Sequence, residues 1–231
     1  MKRSTSSPHV QPSELGNRQM GSQNALIYSE AIVDLYERHA QKYDRDRSRR
    51  LQEKAWLDRF LSHVRPSGVI LDIGCGMAEP IARYVLEARF RVVGVDSSPS
   101  LIAMCRARFP DSEWLVGDMR QLALARRFDG LLAWDSFFHL KADDQRAMFA
   151  RFAAHALPGT PLMFTTGPAH GEAIGSYCGE PLYHASLSPS EYRQLLAAHN
   201  FSVLSYLAED HTCGGHTVWL TRYGSNPQDA G

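Results

Sequence analysis

The stretch Val69-Ile70-Leu71-Asp72-Ile73-Gly74-Cys75-Gly76-Met77-Ala78 decides how this chain is read. Five residues that are apolar except for one acid form a strand of the kind buried on both faces in a parallel sheet. Two glycines then let the backbone bend tightly and approach a ligand with no Cβ in the way. Working outward, the pattern repeats as strand Arg91 to Val95, helix Pro99 to Arg108, strand Glu113 to Val116 and a short helical segment around Arg120 to Leu124. Strand Gly130 to Ala133, helix Ala142 to His155 stopped by Pro158-Gly159, and strand Pro161 to Thr165 follow. Alternating strands and helices predict a mostly parallel sheet covered on both faces, with its ligand beyond the strand ends at the switch point.

The acids fall where such a sheet binds its ligand. Asp72 lies at the bend, and Asp96 ends the second strand 24 positions later, where a carboxylate accepts both hydroxyls of a ribose. Asp118 ends the third strand in Val116-Gly117-Asp118-Met119, placing an acid and an apolar side chain where an adenine ring is bonded and sandwiched. A dinucleotide site would need a third glycine, but Gly74-Cys75-Gly76 continues into Met77-Ala78-Glu79. Asp72 also repels a pyrophosphate while suiting an ammonium or sulfonium group. Taken singly, each aspartate would be read as a helix cap; the ordered set on successive strand ends favours a nucleoside-bearing cofactor.

At these residues the chain resembles the class I S-adenosylmethionine-dependent methyltransferases, whose first motif appears as Val69 to Gly76. The resemblance runs from about Ala25 to Tyr223 and includes Val92 to Asp96, Val116 to Asp118 and Phe128 to Leu132. It implies an α/β, Rossmann-like seven-stranded sheet, six strands parallel and the last antiparallel, with helices on both faces. It also implies S-adenosyl-L-methionine as cofactor, with Gly74 and Gly76 at its methionine end, Asp96 at the ribose, Asp118 with Met119 at the adenine, and Cys75 and Ser97 also among the cofactor-binding residues. The family often carries glycine where Ala78 stands.

For the acceptor, the fourth strand runs into Trp134-Asp135-Ser136-Phe137-Phe138-His139. His139 is the candidate general base, against the plainer reading of a histidine bonded to backbone. Asp135 is expected to orient cofactor or acceptor. Residues 167–188 lack clear periodicity and read as a long loop, an acceptor lid in which His170, Tyr177, Tyr183 and His184 offer aromatic surface with polar tips. Tyr36, Tyr43 and Arg47 stand in or near a break between leading helices. Arg47 is a candidate for a carboxylate and Tyr43 for the cofactor, with Tyr36 facing acceptor; the mixed charges of 44–47 read equally well as a solvated helix surface. His211 to His216 is the densest histidine cluster, but without a second cysteine pair it reads as a bend into the final strand rather than a zinc site.

The frame is bounded by composition. The 231 residues are 44% apolar, which suits one domain, and 25 basic against 25 acidic residues give no charge that favours nucleic acid or an anionic membrane. Cysteines 75, 105, 178 and 213 show no paired spacing, and the first residues lack an apolar core for a signal, so a cytoplasmic protein is expected. Residues 1–24, rich in Ser, Gln, Asn, Pro and Gly, read as a disordered tail. Behind them come a helical cap over 25–65 with two helices before the first strand, a cofactor core over 66–166, the lid over 167–188, and a helix with a hairpin over 189–223. The function expected is methyl transfer to O, N or S of a small-molecule acceptor by a monomer or homodimer, with no metal, nucleic acid or membrane partner. The rival readings are a non-catalytic cofactor-binding module and a methyltransferase acting on a macromolecule.

Overall fold

A computed structural model describes residues 22–224. Its sheet has seven strands in the order β3-β2-β1-β4-β5-β9-β8. These are β1 (Val69–Ile73), β2 (Arg91–Asp96), β3 (Glu113–Val116), β4 (Gly130–Ala133), β5 (Pro161–Thr166), β8 (Phe201–Asp210) and β9 (His216–Tyr223). Strands β1 to β5 pair in parallel, while β9 lies antiparallel to both β5 and β8, so six strands point one way and the last in sequence points back. The order reverses between β1 and β4, and the loops above that point hold the site.

Both faces are covered, as a sheet of continuous apolar strands requires. On one face Leu71, Ile73, Leu131, Phe137, Phe164 and Trp219 share a core with Phe149 and Phe152 of α7 (Ala142–His155) and Tyr192 and Leu196 of α8 (Pro189–Ala198). On the other, Trp56, Leu57, Phe60, Ile70, Leu132 and Leu220 pack with α4 (Lys54–Leu61), α5 (Ile81–Glu87) and α6 (Pro99–Arg108). Helices α6 and α8 begin alike: Ser98 and Ser188 accept from the backbone of Leu101 and Glu191, and a proline holds the first helical position.

The leading segment differs from the expectation of two helices. Three short helices, α1 (Ser22–Glu30), α2 (Ile32–Arg38) and α3 (Ala40–Asp46), precede α4. Residues 22–24, expected within the disordered tail, are helical; residues 1–21, where the rest of that expectation falls, lie outside the described residues. The short helix expected over Arg120 to Leu124 is a single 3-10 turn, Met119–Gln121.

The larger correction concerns residues 167–188. They form a two-stranded antiparallel ribbon, β6 (Gly171–Tyr177) and β7 (Glu180–Ser186), turned at Cys178-Gly179. Both turn residues have positive φ, 54° and 83°, which matches the right-handed twist of a tight hairpin. The ribbon shares a small core with the cap, in which Ile32 and Leu35 meet Tyr177, Leu182, Tyr183 and Ala185. Arg38 adds an ion pair to Glu180 at 2.5 Å, and His39 Nε2 lies 2.6 Å from the other oxygen of the same carboxylate. The two segments expected as separate covers are therefore one layer over the sheet edge.

Candidate active site

The bend after β1 is held open by its backbone. Gly74 has φ +78° and its N–H, with that of Cys75, donates to the Val95 carbonyl at 2.7 and 3.1 Å. A Cβ at Gly74 would fall on the Ser136 side chain. Gly76 has φ +55°, and Ala78 takes φ +69°, so the residue standing in the family's glycine position adopts the conformation that glycine favours.

Around this bend the strand ends bring the acids together. Asp96 accepts the Gly76 N–H on Oδ2 and the Ser98 N–H on Oδ1, both at 2.9 Å, leaving a lone pair on each oxygen. Burial raises its carboxyl above the ordinary value while those backbone bonds oppose the rise. Burial, with Asp96 nearby, lifts Asp72 to about 7. Asp118 accepts the Arg120 N–H at 2.8 Å and is forked by the Arg120 guanidinium at 2.5 to 3.0 Å. Burial there is outweighed by Arg120, so Asp118 stays below the usual range.

Two adjoining cavities follow. The larger, about 90 Å³ and open to solvent, lies between the cap and the strand ends, and the smaller, about 30 Å³, lies over the bend. All the residues expected at the cofactor line one or both: Gly74, Gly76, Asp96, Ser97, Asp118, Met119, Tyr43 and Asp135 the larger, with Asp72, Cys75 and Arg47 joining Tyr43, Gly74, Gly76 and Asp135 in the smaller.

Below the smaller cavity stands a buried charge network. Asp135, at φ +52°, accepts from Arg47 at 3.1 Å on Oδ2 and from His216 Nε2 at 2.7 Å on Oδ1. His216 Nδ1 lies 2.5 Å from the Cys213 carbonyl, so both ring nitrogens face oxygens that only accept, and the ring is an imidazolium. Burial opposes that charge, but Asp135 and the Cys213 carbonyl outweigh it and raise the group to about 11. Arg47 is also 3.8 Å from the buried Glu53, whose carboxyl burial pushes up. His216, the missing member of the sequence-level site, belongs to the cluster weighed for zinc. Among the described residues no group of three or more His, Cys, Asp or Glu is arranged to hold a metal ion.

The acceptor candidates divide. Tyr36 and His139 line the larger cavity, with Tyr36 Oη 3.0 Å from His139 Nε2. Because His139 Nδ1 faces the Tyr183 carbonyl at 2.8 Å, that nitrogen carries the proton and Tyr36 donates to the other. Burial holds His139 below its ordinary value. Tyr177, Tyr183 and His184 form the layer behind this wall: Tyr177 stacks on Tyr36 at 6.0 Å, His184 lies 4.9 Å from His139, and the Tyr183 hydroxyl donates to Glu172 at 2.7 Å. His170 is exposed and lines neither cavity. A further link, absent from the sequence reading, is Glu37 of α2, which accepts from Ser98 and Ser100 at the start of α6, next to Asp96 and Ser97.

Residues 70–159 match the family model described as a methyltransferase domain. The chain is 33% identical over 133 residues to dTDP-3-amino-3,6-dideoxy-alpha-D-glucopyranose N,N-dimethyltransferase of Streptomyces fradiae, covering 57% of this chain and 51% of that one. It is 35% identical over 182 residues to trans-aconitate 2-methyltransferase of Azoarcus sp. (strain BH72), covering 71% and 64%. The chain thus spans about half the length of the first curated relatives it matches. In fold it is similar to 1,6-didemethyltoxoflavin-N1-methyltransferase of Burkholderia thailandensis, a structure with bound 1,6-didemethyltoxoflavin and S-adenosylhomocysteine. That match has TM-score 0.66 and 19% identity and covers 94% of this chain and 99% of that one.

Proposed function

We propose that this chain, whose residues 70–159 match a methyltransferase-domain family model, is a class I S-adenosylmethionine-dependent methyltransferase that transfers a methyl group from S-adenosylmethionine to a heteroatom of a small acceptor. One observation carries the reading. The acids ending β1, β2 and β3 line two neighbouring cavities that share Tyr43, Gly74, Gly76 and Asp135, and the larger is also walled by Tyr36 and His139. A non-catalytic module would need no such chamber.

The residues present suit the cofactor. The lone pairs left on Asp96 serve the ribose hydroxyls, and Asp118 keeps one acceptor site beside Met119 for the adenine amino group. Arg47 and Asp135, of opposite charge beside the glycine bend, match a zwitterionic amino-acid tail. The sulfonium supplies an activated methyl group. The chain's work is then to align the acceptor in line with it and keep water away. Tyr36 and His139 hold and orient the nucleophile, while α1–α3 with the β6–β7 ribbon form the cover whose closure excludes solvent.

The reading extends to a small acceptor, with no nucleic-acid partner, handled by a monomer or homodimer in the cytoplasm. Equal numbers of acidic and basic residues support the first part. Among the described residues no helix is long and apolar enough to cross a membrane. Calorimetry tests the core of the proposal: S-adenosylmethionine and S-adenosylhomocysteine bind and nicotinamide dinucleotides do not. Dinucleotide binding without adenosylmethionine binding would refute it.

A further inference from the structure

The charge network under the smaller cavity is more than the fold needs. Strand β9 is already held to β5 by six residue pairs, from Pro161 with Arg222 to Thr166 with Thr217. His216 stands one residue before Thr217, at the start of β9, and there a buried imidazolium meets Asp135. A buried ion pair roughly balances against apolar packing, because both charges lose their water. Its presence beside the glycine bend therefore points to a role in binding.

Asp135 is held from three sides. Its N–H donates to Thr165 Oγ1 at 3.0 Å, His216 Nε2 donates to Oδ1 at 2.7 Å, and Arg47 Nη1 donates to Oδ2 at 3.1 Å. Together they keep a non-glycine residue at φ +52°, a conformation that persists only where its surroundings enforce it. His216 is locked from behind, since the Cys213 carbonyl accepts its other N–H at 2.5 Å and the Trp134 ring lies 5.2 Å away. The imidazole can neither turn nor lose a proton without breaking one of these bonds.

His216 lines neither cavity, so its effect on a ligand passes through its partners. The partner that gains is Arg47. A carboxylate facing a guanidinium with no second cation draws it into a two-pronged pair. Here His216 occupies one oxygen, and among the described residues the Arg47 side chain makes a single hydrogen bond, Nη1 to Oδ2. Its Nη2 is 3.8 Å from Glu53, beyond hydrogen-bond reach, and the guanidinium's other N–H groups stay on the wall of the smaller cavity.

Resting on the proposed cofactor, we infer that His216 is a positioning residue for the methionine end of S-adenosylmethionine. By holding one side of Asp135 it leaves Arg47 with N–H groups to give the α-carboxylate, and it sets Asp135 toward the α-ammonium. Without the ring's charge Asp135 closes on Arg47, and the loss falls on the amino-acid tail. The nucleoside, facing Asp96 and Asp118 at the ends of β2 and β3, is untouched.

The test compares two ligands that share a nucleoside and a thioether: S-adenosylhomocysteine, which has the amino-acid tail, and methylthioadenosine, which lacks it. Calorimetry measures both on wild type and on His216→Gln, with folding of the variant checked by tryptophan fluorescence. The variant binds S-adenosylhomocysteine about tenfold or more weakly, the span of one charged hydrogen bond, and methylthioadenosine within about twofold of wild type. Equal weakening of both ligands marks a purely structural residue and overturns the inference, as does unchanged binding of both. Should the variant not fold, nitrogen NMR of wild type with isotope-labelled histidines decides. The ring in Overhauser contact with Trp134 then carries protons on both nitrogens at about pH 8, where a free imidazole has lost one, and shifts with S-adenosylhomocysteine but not with methylthioadenosine. A ring with one bare nitrogen, or one that answers both ligands alike, overturns the inference too. Failure of S-adenosylhomocysteine to bind wild type counts against the proposed function instead.

Discussion

Replacing His216 by glutamine keeps one hydrogen-bond donor and removes the charge. The ring it replaces is 12% exposed and bridges Asp135 and the Cys213 carbonyl, so the loss strips the buried Asp135 carboxylate of one of its charged partners. Removing one partner of a buried pair costs about 3–5 kcal/mol, and that is the expected fall in unfolding free energy at pH 7. The pH dependence carries a sharper signature. His216 is raised from 6.5 to about 11, so its stabilisation is fully present below pH 6.5 and is lost as pH rises through the folded value. The gap between wild type and variant therefore closes at up to about 1.4 kcal/mol per pH unit and has largely gone near pH 11. Urea unfolding followed by tryptophan fluorescence between neutral and alkaline pH measures it, Trp134 lying 5.2 Å from the ring. A gap that stays constant over that range, or one below about 1 kcal/mol at pH 7, refutes the imidazolium clamp.

Asp96→Ala is expected to weaken S-adenosylhomocysteine binding by about 10- to 100-fold, read by calorimetry, with the chain still folded. Unchanged affinity would contradict the ribose role. Asp72→Asn should act in opposite senses on stability and binding. Its carboxyl is raised from 3.8 to about 7, so the folded state bears a penalty that builds between those values and stays above them. The variant gains up to about 4 kcal/mol of ligand-free stability at pH 8 and loses cofactor affinity; a variant no more stable than wild type at that pH counts against the buried-acid reading. Cofactor should slow hydrogen exchange in α1–α3 and β6–β7 together, while substitutions at Tyr183 or His184 change turnover or acceptor preference and spare cofactor affinity. Equal exchange with and without cofactor, and fully active variants, would show that the cover does not close.

The sheet could be read from sequence because each parallel strand is a short apolar run closed by a local signal, such as the Gly74 and Gly76 bend or the Ser98-Pro99 start of α6. The acids at strand ends were legible for the same reason, since the architecture alone assigns their place. The ribbon was not. Leu182 and Tyr183 are adjacent and both buried, because β7 packs between the cap and the sheet edge, and burial on both faces erases the alternation that marks a strand. Only the Cys178-Gly179 turn between two runs could have signalled it. His216 was hidden differently: its partner Asp135 stands 81 positions away, and only the antiparallel pairing of β5 with β9 brings the two together. Glu37 reaches α6 across 61 and 63 positions by the same kind of long-range docking.

The shared core of cap and ribbon bears on how this pocket could change over generations. The strand-end acids proposed to hold the nucleoside rest on β1 to β3, whereas the chamber's outer wall rests on Ile32, Leu35, Tyr177, Leu182 and Tyr183, which pack mainly on one another. Variation in the wall is thus insulated from cofactor recognition, yet its two halves are not independent. A bulkier residue at Leu182 in the ribbon needs a smaller one at Ile32 or Leu35 in the cap, so acceptor range should drift by paired substitutions across the layer. Libraries that vary the two segments jointly would reach pockets that varying either alone leaves closed.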